Sequence, residues 1–260
     1  MTTMDVTGAA GRLTEAVRTR TATSALTSDF GDFDLATAYD LQALVVADRI
    51  AAGHRVIGAK LGLTSEAKQV QMNVSEPLYG WLTDDMRLEP GAPLVVEHFI
   101  QPRVEAEIAF LLGDDLEGAD VGATDVLAAT AAVMPAIDVL DSRYAGYAFT
   151  LPDVVADNSS SAGFITGSIL VDPIGIDLRL VGVVMEVNGQ VVATAAGAAV
   201  LGHPASSVAW LVRALARRGE GLTAGMTVLS GACTAAFAVA PGDTVVARVD
   251  RLGTVEVTCR

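Results

Sequence analysis

Two glutamates lie two residues apart in the segment RVEAEIAF, residues 103–110, which otherwise has the composition of a buried β-strand. Side chains at positions i and i+2 of a strand share a face, so Glu105 and Glu107 point the same way. Two like charges on a largely apolar surface are costly unless a cation or several donors neutralise them. A hard divalent metal ion meets that need. An edge strand with two solvated carboxylates explains the same pattern.

A third carboxylate, Asp138, lies in the apolar segment MPAIDVLDSR at residues 134–143. An unpaired carboxylate among such neighbours is costly, which makes Asp138 a candidate third metal ligand. The alternative is a buried salt bridge, for which Arg143 is the nearest basic partner in the sequence.

Lys60 ends an apolar segment and precedes the sequence LGLTS. Burial would lower the pKa of its amine toward a range useful for proton transfer, and its charge could orient substrate oxygens. A surface lysine whose stem packs on apolar neighbours is the alternative.

The polar segment DNSSSAG at residues 157–163 leads into a predicted strand. Its side chains could bond their own backbone as a turn, or could surround a small anionic substrate with hydroxyl and amide donors.

These residues require a scaffold, and the sequence predicts helices followed by a strand-rich body. Helical spacing covers residues 11–21 and 35–52, where Asp34 can cap the second helix and Gly53 can end it. This predicts an N-terminal helical subdomain over residues 1–75 and a catalytic core over 76–260. Within the core we expect a loop at 76–80, helices at about 124–133 and 207–218, and a hairpin at Asn188-Gly189. A short helix is expected at 64–72. Strands are predicted at 54–60, 104–112, 165–170, 180–187, 226–230, 244–249 and 254–259.

Composition excludes several classes of protein. The chain has 260 residues, 51% of them hydrophobic, and carries 31 acidic against 17 basic residues for a net charge of −14. This charge disfavours nucleic acid and anionic membranes as partners. The N-terminus lacks the pattern of a signal peptide, so we expect a cytoplasmic protein.

Several short motifs together resemble the hydratase/decarboxylase branch of the fumarylacetoacetate hydrolase superfamily. The resemblance runs from about Lys60 to the C-terminus. It implies an α+β fold with a mixed β-roll or barrel core beside the N-terminal helical layer, and a Mg²⁺ or Mn²⁺ ion held by Glu105, Glu107 and Asp138. The third ligand is commonly glutamate in the family, so Asp138 is a departure. The motifs are KLGLTS at 60–65, EPLYG at 76–80, PRVEAEIAF at 102–110, DSR at 141–143, DN at 157–158 and GHP at 202–204.

One position distinguishes the two activities of this branch. The hydratases typically have an aspartate where this chain has Leu78, and a leucine cannot act as a general base. The resemblance therefore implies metal-dependent decarboxylation of 2-oxohex-3-enedioate, with Lys60 as the catalytic residue and Leu78, Asp157 and Ser161 as substrate contacts. The alternatives are a 2-oxopent-4-enoate-type hydratase, a C–C hydrolase or oxaloacetate decarboxylase from elsewhere in the superfamily, and a non-catalytic partner of an enzyme of this branch. The resemblance also raises the expectation of a homo-oligomer and of a complex with the pathway hydratase.

Overall fold

The computed structural model describes residues 5–65, 69–70, 74 and 76–260. The helices are α1 (Val6–Thr19), α2 (Leu26–Phe30), α3 (Leu35–Ala51), α4 (Ala123–Ala128), α5 (Leu151–Ala156) and α6 (Pro204–Ala216). The strands are β1 (Val56–Gly62), β2 (Leu78–Thr83), β3 (Arg103–Leu112), β4 (Thr130–Leu140), β5 (Ser161–Thr166), β6 (Gly182–Val187), β7 (Gln190–Ala196), β8 (Thr227–Leu229), β9 (Phe237–Ala238), β10 (Thr244–Val249) and β11 (Gly253–Thr258). Within the described ranges, no helix is both long and apolar enough to cross a membrane.

The first N-terminal helix begins before its predicted start at residue 11 and spans Val6–Thr19, and the second forms as its capping residues predict. The side chain of Asp34 accepts a hydrogen bond from the backbone N–H of Thr37 at 2.8 Å, and α3 begins at the next residue. Such a bond satisfies one of the N–H groups that lack a partner inside the helix. Gly53, with φ of +101°, follows the end of α3. The predicted helical layer is therefore confirmed.

The strands form two sheets. The larger sheet has the order β2-β1-β8-β3-β4-β5, with β9 also paired to β3, and the smaller has the order β11-β10-β6-β7. The larger sheet is mixed, because β1 and β8 are parallel while the other pairs are antiparallel. One face of β3, including Ile108 and Phe110, packs into the main hydrophobic core with residues of the smaller sheet such as Met185 and Ala247. The opposite face is therefore the one that carries Glu105 and Glu107. This architecture confirms the α+β class.

Two predicted elements were wrong. The helix expected at 124–133 ends at Ala128, and β4 begins at Thr130. β4 is buried on both faces over most of its length, so its apolar run lacks the alternation that marks a strand. The loop expected at 76–80 includes the start of β2 at Leu78. Gly80 lies in this strand. A Cβ at this position would lie 2.4 Å from the carbonyl oxygen of Asn158, so only glycine allows this close approach.

Two other expectations remain open. Most of the short helix predicted at 64–72 lies outside the described residues. The division into 1–75 and 76–260 stays a prediction, although β1 pairs with β2 and β8 in the larger sheet.

The hairpin at Asn188-Gly189 is confirmed, with both residues at positive φ as a type I′ turn requires.

Candidate metal centre and substrate cavity

The three carboxylates predicted as metal ligands lie together on adjacent strands. Antiparallel pairing of β3 with β4 places Glu105 directly opposite Asp138, and Glu107 follows on the same face of β3. One oxygen of each carboxylate lies within 4.8 Å of the others. All three residues are buried, with 8% of Glu105 and none of Glu107 or Asp138 exposed. This convergence is the geometry that a hard cation with oxygen ligands requires.

The electrostatics of Glu107 indicate that a positive charge belongs in this cluster. Desolvation raises the pKa of Glu107 well above its usual range, and the negative charges of Asp138 and Glu105 raise it further. The backbone N–H of Gly231 donates to its Oε2 at 2.7 Å and, like Lys60, opposes that shift. Among the described residues, no group hydrogen bonds to the buried Oε1 of Glu107. A cation would compensate both the charge and this oxygen.

Gly231 has a conformation and a location that suit glycine alone. Its φ is +105°, and a Cβ at this position would lie 2.2 Å from Oγ1 of Thr64. This close packing holds the N–H of Gly231 against Glu107.

Lys60 is buried in the same cluster, with 1% of the residue exposed, so the alternative of a surface lysine was wrong. Its Nζ donates to Oδ2 of Asp138. Asp138 thus lies in a buried salt bridge, as the alternative predicted, but the bridge is with Lys60, and Arg143 pairs with Asp157 instead. In their ionised forms, three carboxylates and one ammonium carry a net charge of −2. A divalent cation neutralises that charge, and the oxygen donors match Mg²⁺ or Mn²⁺.

A cavity of about 170 Å³ opens beside this cluster. Aliphatic side chains, including Leu78, Leu140 and Val154, form much of its wall. Leu78 is 2% exposed. The polar residues that line it are Lys60, Arg103, Glu105, Tyr147, Ser159 and Ser160. The cavity is thus a small, mostly apolar space with charged groups on its wall, as is typical of sites for small organic acids.

A left-handed turn forms part of the cavity wall. Asn158, Ser159 and Ser160 have φ values of 50°, 58° and 54°, which are unfavourable for residues with side chains. The side-chain amide of Asn158 holds the turn, since it accepts from the backbone N–H of Trp81 at 2.8 Å and donates to the carbonyl of Trp81 at 2.9 Å. Ser159 is 4% exposed, and its hydroxyl forms no hydrogen bond with the described residues. This hydroxyl is available to a bound molecule.

Asp157 and Ser161 were predicted as substrate contacts, but the structure places neither on the cavity wall. Asp157 is fully buried and accepts from the guanidinium and the backbone N–H of Arg143, the latter at 3.1 Å. Burial raises the pKa of Asp157 to about 6, and the charge of Arg143 opposes that shift. The hydroxyl of Ser161 donates to the carbonyl of Asn158 at 2.6 Å. Both side chains therefore support the turn from behind.

Four residues that line the cavity were not predicted individually from the sequence: Arg103, Tyr147, Ser159 and Ser160. Spacing could have revealed Arg103, because it lies two residues before Glu105 and so shares its face of β3. Ser159 and Ser160 lie within the polar segment that was singled out, and the positive φ values that aim them could not be read from it.

Two further features lie apart from this site. A larger cavity, of about 540 Å³, shares the wall formed by Leu78 but contains none of the three carboxylates. His54, Asp84 and Asp85 also hold ligand atoms within 4.8 Å of one another. Arg55 and Arg49 pair with these two aspartates, at 3.3 Å and 2.5 Å, so their charge is already compensated.

Comparisons with known proteins identify the family to which this chain belongs. The family model described as fumarylacetoacetate (FAA) hydrolase C-terminal matches residues 55–260. A 4-oxalocrotonate decarboxylase from Pseudomonas sp. strain CF600 is 47% identical over 227 residues, which cover 87% of this chain and 86% of the relative. A 2-keto-4-pentenoate hydratase from Paraburkholderia xenovorans strain LB400 is 40% identical over 95% of this chain and 92% of its own length. The solved structure of 4-oxalocrotonate decarboxylase from Pseudomonas putida G7, complexed with magnesium and adipate, superposes with a TM-score of 0.96 at 42% identity, covering 100% of this chain and 99% of that one.

Proposed function

Because the chain belongs to the fumarylacetoacetate hydrolase family, we propose that it is a metal-dependent carboxy-lyase of aromatic meta-cleavage catabolism. It converts 2-oxohex-3-enedioate, also called 4-oxalocrotonate, to 2-hydroxypenta-2,4-dienoate and CO₂. The observation that carries this proposal is the buried cluster of Glu105, Glu107, Asp138 and Lys60, which lies beside a cavity with a largely aliphatic wall.

The carboxylates hold the metal ion in this proposal. Glu105, Glu107 and Asp138 would bind Mg²⁺ or Mn²⁺, which supplies a Lewis acid for the 2-oxo group when it is bound. Lys60 lines the cavity while its Nζ contacts Asp138. It can therefore orient the substrate oxygens or supply a proton as the product forms.

Leu78 favours decarboxylation over hydration. Its buried side chain contributes an apolar surface to the cavity and offers no group that could activate water. A carboxylate in a weakly solvating environment loses its charge as CO₂ more readily than one in water. The hydratase alternative is less favoured, because this chain has Leu78 where the hydratases have a proton-handling aspartate.

A direct assay of both reactions tests this proposal. The purified protein with Mg²⁺ is given 2-oxohex-3-enedioate and, separately, 2-hydroxypenta-2,4-dienoate, while CO₂ and 4-hydroxy-2-oxopentanoate are measured. We expect CO₂ from the first substrate and little hydration of the second. Efficient hydration without CO₂ release would assign the chain to the hydratases, and no turnover of either substrate would favour the non-catalytic partner.

Assembly with other subunits is a separate part of the proposal. Large hydrophobic side chains are exposed at Ile169, Ile174, Leu180 and Val191. Exposed apolar surface of this kind supports a homo-oligomer or a complex with the pathway hydratase. Light scattering of the purified protein, with and without the hydratase, would distinguish a monomer from either assembly.

A further inference from the structure

We propose that Arg103 binds the distal carboxylate of the substrate and makes this site selective for dicarboxylates. This inference rests on the proposed function and adds to it a specificity-determining residue. It follows from the placement of Arg103, from its charge and from the way its guanidinium is held.

The placement of Arg103 suits a substrate with an anionic group at each end. Arg103, Glu105 and Glu107 occupy alternate positions of β3 and thus one face of it. Two residues of strand span about 6.7 Å, so Arg103 is displaced along the strand by a short, fixed distance from the carboxylate cluster. Arg103 and Glu105 line the same cavity. A short-chain acid with one end at the cluster can therefore extend toward Arg103.

The charge of Arg103 has no counterion in the part of the chain that the structure describes. Among the residues that the structure describes, Arg103 forms no ion pair, whereas Lys60 in the same cavity pairs with Asp138. The neighbouring wall includes Leu140 and Phe149, which offer no acceptor side chain. A half-buried guanidinium on such a wall gains most from an anion that enters the cavity.

The guanidinium is held in place by an aromatic ring. Its central carbon lies 4.1 Å from the centre of the Tyr147 ring, which is a cation–π contact. The hydroxyl of Tyr147 lies 3.1 Å from the carbonyl oxygen of Leu140 and 3.2 Å from that of Gln101, so it can donate to either. A guanidinium fixed by stacking keeps its edge free for the paired hydrogen bonds that carboxylates accept.

The chemistry predicts which kinetic constant depends on Arg103. The distal carboxylate loses its negative charge as CO₂ leaves, so Arg103 stabilises the substrate more than the transition state. Loss of Arg103 should therefore raise KM and leave kcat unchanged or higher, since the departing carboxylate is then less well solvated.

The test measures binding of two matched acids to the Mg²⁺-loaded protein by titration calorimetry. Adipate has a carboxylate at each end, and hexanoate has the same chain length with one carboxylate. We expect Arg103→Met to weaken adipate binding by about tenfold to hundredfold, the range for one lost charge-assisted interaction, and to leave hexanoate binding nearly unchanged. The adipate affinity of Arg103→Lys should lie between those of Arg103→Met and the unmodified protein, because lysine keeps the charge and loses the paired donors.

Arg87→Met is the matched control. Arg87 also stacks on an aromatic ring, that of Phe164 at 5.7 Å, but it is exposed and does not line the cavity. It should bind both acids as the unmodified protein does. If Arg103→Met does not fold, Arg103→Gln serves in its place.

Two results would overturn the inference. One is adipate binding that Arg103→Met leaves unchanged, and the other is an equal loss of affinity for both acids. Failure of the proposed function is separate, because it would be seen as absence of CO₂ release by the unmodified protein. A protein that releases CO₂ but whose KM is insensitive to Arg103→Met keeps the function and refutes the role of Arg103.

Discussion

Replacement of Lys60 by methionine tests whether the carboxylate cluster depends on its buried counterion. The substitution keeps the length of the side chain and removes its charge. Because the side chains of Lys60 and Asp138 are 2% and 0% exposed, the substitution breaks a buried ion pair. Removal of one partner from a buried ion pair costs about 3–5 kcal/mol. For a chain of this size we expect the melting temperature to fall by about 6–20 °C without metal.

Magnesium should recover part of this loss. Without Lys60 the ionised cluster has a net charge of −3 rather than −2. Mg²⁺ therefore meets less repulsion and binds the folded state more strongly. The increase in melting temperature on adding Mg²⁺ should therefore be larger in Lys60→Met than in the unmodified protein. If Lys60 also contacts the substrate, kcat/KM stays low at saturating Mg²⁺.

Calorimetric unfolding with and without Mg²⁺ measures both effects. The double variant Lys60→Met/Asp138→Asn removes both charges and should regain part of the stability lost in Lys60→Met. Arg18→Met is the control, because the pair of Arg18 with Glu15 is exposed and its loss should not shift the melting temperature measurably. A metal-free Lys60→Met protein that melts with the unmodified one would refute the reasoning.

Substitutions at three other residues test the site. Glu107→Gln should not lower the metal-free melting temperature, since it removes a buried charge that Glu105 and Asp138 repel. It should abolish both the stabilisation by Mg²⁺ and the turnover. Full activity in this variant would contradict the metal site. Leu78→Asp should slow CO₂ release about tenfold or more by bringing charge and water into the cavity, without creating a hydratase, whereas Leu78→Met should keep most of the rate in the same assay. Gly231→Ala should lower the free energy of unfolding by about 1–3 kcal/mol in chemical unfolding and weaken Mg²⁺ binding. An alanine is strained at φ of +105°, and its Cβ would in addition clash with Thr64. Unchanged Mg²⁺ affinity would show that Gly231 does not support the metal site.

The sequence predicted the carboxylate cluster because one strand carries its first two members. The period of two along β3 places Glu105 and Glu107 on one face whatever the rest of the fold. Asp138 was also identified, but its partner was not, because pairing with Lys60 depends on tertiary packing across the larger sheet. Local proximity favoured Arg143 instead, which the fold directs to Asp157.

The predictions of secondary structure were wrong where the local sequence pattern fits more than one element. β4 is buried on both faces, and an apolar run without alternation does not distinguish a strand from a helix. The polar segment at 157–163 was predicted to be either a turn or a loop around a small anionic substrate, and its backbone conformation decides which side chains face the cavity. That conformation depends on long-range bonds from Asn158 to Trp81, which no local pattern reveals.

The left-handed turn at Asn158, Ser159 and Ser160 also bears on how this protein could be engineered. Each of these residues holds a backbone conformation that glycine adopts at lower cost, by about 1 kcal/mol or more. Selection for heat resistance alone would therefore favour glycine at Ser159, where the cavity would lose a hydroxyl, but not at Asn158, whose amide bonds to Trp81 hold the turn. Laboratory evolution toward thermostability should be monitored at Ser159 and Ser160, since gains made there would remove side chains that line the cavity.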